Sequence, residues 1–71
     1  TMAYIVTMHF LHQGRFASRV VKTYEDLTRQ QMLSRLNLYI QSREFQSFEL
    51  ESLHITAYSG DVECLSKIVI G

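Results

Sequence analysis

The sequence contains no proline and no tryptophan, only three glycines, and a single cysteine. Without proline, and without any tract of low complexity, nothing in the chain reads as a linker. The 71 residues therefore form a single domain, 1–71. A chain this short buries only about 60% of the surface that its unfolded form exposes. One hydrophobic core fits, with a thin margin of stability that a dimer interface or a bound partner would widen. Cys64 has no second cysteine to pair with. That excludes an intrachain disulfide and points to a reducing, cytoplasmic compartment.

Long apolar runs are missing too. The opening "MAYIVTMHFL" falls far short of the roughly 20 residues that span a bilayer. It also lacks a basic leader and a cleavage site, so no membrane association is expected. Thr1 ahead of Met2 reads as an addition before the natural start. Nor is there an excess of one charge, since seven basic residues balance seven acidic ones. The distribution is uneven all the same. Arg15, Arg19, Lys22, Arg29, Arg35 and Arg43 face only Glu25 and Asp26 in residues 1–43, a balance of +4. In residues 44–71 Lys67 faces Glu44, Glu49, Glu51, Asp61 and Glu63, a balance of −4. Such a split orients one copy against another or presents a basic face to an acidic partner, unless the halves interleave in space.

What is present is a globular composition, with 46% hydrophobic and 20% charged residues. "AYIVTMHFLHQGRFASRVV" is rich in β-branched and aromatic residues and is punctuated by Gln13-Gly14, which predicts a hairpin. A three-residue loop, His12 to Gly14, keeps Arg19 off the apolar face. It pairs Phe10 with Phe16, Met8 with Ser18 and Val6 with Val20, and on the other face Thr7 with Arg19 and Ile5 with Val21. A helix follows. Thr28-Arg29-Gln30-Gln31 fits a capping box, and Leu27 and Met32 flank it as a hydrophobic staple. Met32, Leu33, Leu36, Tyr39 and Ile40 then recur at helical spacing as one apolar stripe. Leu38 lies off that stripe. Phe45, Phe48 and Leu50, in the connection from Glu44 to Ser52, are expected to fold back onto the core.

In "LHITAYSGDVECL", Leu53, His54, Ala57, Gly60, Glu63 and Leu65 fall where an ankyrin repeat has its markers, and the segment is similar to half of one such unit. Glu51-Ser52 departs from the family's Thr-Pro, and an ankyrin unit needs about three stacked copies. Residues 1–50 supply none. Leu53, Ile55 and Ala57 alternate with His54, Thr56 and Tyr58, and Ser59-Gly60-Asp61 suits a turn, so a strand fits better. "VECLSKIVI" suits either a short helix or a returning strand, and its β-branched ending favours the strand. The expected fold is α+β: a small β-β-α-β-β domain, an antiparallel sheet with one helix packed on one face.

Enzyme motifs are missing. The glycines are too scattered for a phosphate loop, and neither Gly-x-Ser-x-Gly nor Cys-x-x-Cys occurs. His9 and His12 have ligand-like spacing, but residues three apart on a strand point to opposite faces. Cys64 and His54 are the one nucleophile-and-base candidate, with no third group to orient them. No enzyme, cofactor or metal site is therefore expected. Arg15, Arg19, Arg29, Arg35 and Arg43, with Tyr4, Phe10, Phe16 and Tyr58 on or near strands, raise a nucleic-acid-binding alternative. Zero net charge and the lack of a sheet-type RNA-binding signature argue against it.

The leading expectation is a small non-enzymatic interaction or regulatory protein. It would dock a protein partner, or itself as a homodimer, through the open sheet face or an edge strand. Ile5, Thr7, His9, Arg19 and Val21 are the first-choice contacts, with Arg35 and Leu38 on the outer side of the helix as the second. Motif-free chains of this size are common among phage and mobile-element products, an association of composition that no residue carries.

Overall fold

The computed structural model describes residues 2–60 and 62–69, with the backbone alone for 65–69. Its elements are β1 (Met2–His12), β2 (Arg15–Leu27), α1 (Arg29–Ile40), α2 (Arg43–Gln46), β3 (Ser52–Ser59) and β4 (Val62–Val69). The four strands form one antiparallel sheet in the order β2-β1-β3-β4. With α1 as the main helix on one face, this is the expected α+β arrangement. The one-turn helix α2 is an addition within the connection. The ambiguous last segment is a strand paired with β3, so the half-repeat likeness to ankyrin does not extend to its helices. Ile70 and Gly71 lie outside the described residues.

The first hairpin differs from expectation. Gln13 and Gly14 both have positive φ, 52° and 74°, and they form a two-residue turn between His12 and Arg15. A turn of that hand matches the right-handed twist of the strands, so it is favoured over a looser loop. Register follows from it. Phe10 pairs with Ala17 and Met8 with Arg19, one residue away from the predicted pairing, which turns each side chain near the turn to the other face. Phe16 goes outward, to 88% exposure, and Arg19 comes to the helix side.

That position is tolerable for an arginine because β2 is an edge strand. The stem of Arg19 lies along apolar surface, and its guanidinium sits 5.7 Å from the centroid of the Phe48 ring. Lys22 does the same over Tyr39, at 5.0 Å. A bulge lies between the pairs Val6–Lys22 and Thr7–Val20, with Val21 as the extra residue. It restores the phase, so that Tyr24 pairs with Tyr4 and packs on the core.

The core occupies the helix side. Tyr4, Val6 and Met8 alternate along β1, and Leu53, Ile55 and Ala57 along β3; they meet Met32, Leu36 and Tyr39 of α1 and Phe45 of α2. Each large apolar side chain fully buried there stabilises the fold by about 1.5–3 kcal/mol. Tyr39, Phe45 and Phe48 stack edge to face at 5.4 and 6.1 Å. The capping box holds α1 as read: the Thr28 hydroxyl accepts from the Gln31 amide, and the Gln31 side chain accepts from the Thr28 amide. The connection is tied back at Glu51. Its amide donates to the Leu11 carbonyl, and its carboxylate accepts from the amide of Gly14.

Candidate functional site: the uncovered sheet face

Residues of β1 that do not reach α1 define the second face. Ile5, Thr7, His9 and Leu11 pair across β3 with Tyr58, Thr56, His54 and Ser52. On the other side Thr7 pairs with Val20, His9 with Ser18 and Leu11 with Phe16. Ile5 and Val20 are about half exposed, and Phe16 almost wholly so. The result is an apolar perimeter around a polar middle.

Three predicted contacts lie on this face: Ile5 is exposed, while Thr7 and His9 are half-buried. Arg19 and Val21 do not. The register shift carries Arg19 to Phe48, and Val21, at the bulge, packs against the core. Val20, Phe16 and Ser18 stand on the uncovered face instead. The signal for Phe16 and Ser18 was the Gln-Gly dipeptide, a two-residue turn by itself. The bulge that exposes Val20 has no such marker. On α1, Leu38 is 68% exposed and Arg35 is exposed, as expected. Arg35 also lies near enough to Tyr24 for its charge to favour the ionised phenol.

The polar middle is a hydrogen-bonded row across three strands. His9 Nδ1 is 2.8 Å from Ser18 Oγ, and Nε2 is 3.2 Å from Thr56 Oγ1. Its ring is therefore anchored on both sides, and Thr56, which is buried, has its hydroxyl satisfied. The His54 ring lies 5.9 Å from that of His9, tilted by 42°. An open depression of about 530 Å³ runs along this row, lined among others by Phe16, Ser52, Leu53 and both histidines.

Other candidate pairs are kept apart. His9 and His12 stand on opposite faces by strand alternation. Cys64 packs against the core near the irregularity between Ala57–Leu65 and Tyr58–Glu63, while His54 pairs with Ile68 several residues away. Two of the five arginines are engaged within the fold: Arg19 over Phe48, and Arg29, which donates to the Cys64 carbonyl at 2.9 Å. Burial raises the phenols of Tyr24 and Tyr39 above their ordinary value of 10.0, and for Tyr39 the Glu44 charge adds to the effect. Among the described residues no group of three or more His, Cys, Asp or Glu is placed to hold a metal ion, and no helix is long and apolar enough to cross a membrane. Comparison of the chain with protein-family models, curated proteins and solved structures finds no significant match.

Proposed function

We propose that the chain is a non-enzymatic interaction protein whose uncovered sheet face docks a second copy of itself. The observation that carries this reading is the one-sided cover of the sheet. Ile5, Phe16 and Val20 remain exposed opposite the layer that α1 packs, and an apolar face of that kind on a small domain marks an interaction surface. Its size fits a dimer. The molecule measures 38 × 26 × 15 Å, so its broad face is bounded by a rectangle of roughly 1,000 Å², against about 800 Å² per partner in a standard interface. Isologous pairing of one face also suits a chain whose own core leaves little margin. Arginine-mediated nucleic-acid binding draws less support, because Arg19 and Arg29 have partners within the fold.

Light scattering on a size-exclusion column, across a hundredfold range of concentration, tests the reading. The expected mass is that of a dimer at the upper end. Val20→Asp should return it to a monomer while leaving the far-UV circular dichroism unchanged. A wild-type chain that stays monomeric throughout, or a Val20→Asp variant that dimerises normally, overturns it.

A further inference from the structure

We infer that a depression on the helix side of the sheet, at the turn end of the first hairpin, binds a free amino acid with an apolar side chain. It lies on the opposite side from the uncovered face, so it does not depend on self-association. Three observations carry it.

The first is an apolar floor that the fold holds open. Met8 and Phe10 lie on the helix side of β1, and the connection after α2 runs beside them with Phe48 and Leu50 as its wall. The depression measures about 380 Å³, within the roughly 300–1,000 Å³ range of small-molecule sites. Glu51 fixes the wall in place. Its amide donates to the Leu11 carbonyl at 3.0 Å, and its carboxylate accepts from the Gly14 amide at 3.3 Å. A ligand therefore meets a site formed in advance, without the cost of ordering a loop.

The second is a rim that carries two opposite charges. Arg19 and Glu49 both line the depression. The Arg19 guanidinium lies over the Phe48 ring at 5.7 Å, a contact that uses none of its five N–H donors. Among the described residues neither charge makes an ion pair or a hydrogen bond. Ser47, on the same rim, is already committed: its hydroxyl donates to the Glu44 carbonyl at 2.6 Å.

The third is the chemistry that answers both charges at once. A carboxylate accepts paired N–H bonds from a guanidinium, and an ammonium donates to a carboxylate such as that of Glu49. An amino acid carries both groups on one carbon, with its side chain directed away from them. A floor of two phenyl rings and a thioether suits an aromatic side chain. A simple organic acid would bring its charge beside Glu49, and a simple amine would bring its own beside Arg19. Like charges held close together repel. The zwitterion alone is matched at both ends.

The test titrates the whole chain, labelled with nitrogen-15, with L-phenylalanine and follows the amide resonances. Saturable shifts are expected at residues 8–12, 17–19 and 47–51, with none at Ile5 or Leu38. Arg19→Gln and Glu49→Gln should each weaken binding by about 10-fold or more. The dispersion of the spectrum shows whether each variant folds, and Glu49, which is exposed, can be changed without disturbing the core. 3-Phenylpropanoate, which lacks the ammonium, and 2-phenylethylamine, which lacks the carboxylate, should bind about 10-fold more weakly. Absence of saturable shifts, or shifts confined to the uncovered face, overturns the site. Folded variants that bind as the wild type does, or either analogue binding as tightly as L-phenylalanine, overturn the assigned ligand class.

Discussion

The guanidinium of Arg19 lies over the ring of Phe48, joining the edge strand β2 to the connection that follows α2. The contact accounts for a register that charge alone would argue against. It closes one end of the core, where Met8, Phe10 and Leu50 line a second depression beside it. Arg19→Ala should therefore lower stability by about 0.5–1 kcal/mol, read as a shift of the urea midpoint, and leave self-association unchanged. A loss of dimer with no change in midpoint would mean that Arg19 faces outward after all.

The first turn offers a gain. Gln13 holds a φ of 52°, a region in which asparagine is several-fold enriched over most residues, and Asn-Gly is the preferred pair for this turn. Gln13→Asn should raise the melting temperature by a few degrees, since a few tenths of a kcal/mol moves a domain of this size that far. An unchanged or lower melting temperature would count against the two-residue turn.

Two leucines two residues apart on α1 should respond oppositely. Leu36 is fully buried and Leu38 is 68% exposed. Leu36→Ala is expected to cost about 2–5 kcal/mol, enough to abolish cooperative unfolding in a marginal domain. Leu38→Ala should stay within about 0.5 kcal/mol. Thermal melts followed by circular dichroism decide between these outcomes.

Alkaline pH should weaken the fold. The phenols of Tyr24 and Tyr39 are raised by burial above 10.0, so the unfolded chain loses its protons first as pH climbs. Their contribution is fully present below pH 10 and is lost as pH rises through the folded values. The urea midpoint should fall as pH rises above 10, and Tyr39→Phe should flatten that fall. Equal slopes for the variant and the wild type would remove Tyr39 from the explanation.

Local chemistry was legible in the sequence. The Thr28-to-Gln31 capping box, the stripe from Met32 to Tyr39 and the alternation of Leu53, Ile55 and Ala57 each depend on neighbours within one element. Sequence spacing therefore determined them, and with them the helix, β3 and the side of each that is buried. Register was decided elsewhere. Whether Arg19 could lie beside Met8 depended on Phe48, 29 residues further along, and the bulge at Val21 depended on the phase that the turn had already set. The same holds for the uncovered face. His9 and His54 are separated by the whole helix in sequence, and only the placing of β1 beside β3 made them neighbours. Alternation along a strand is a property of its backbone, but the identity of the residue across from it is a property of the assembled sheet.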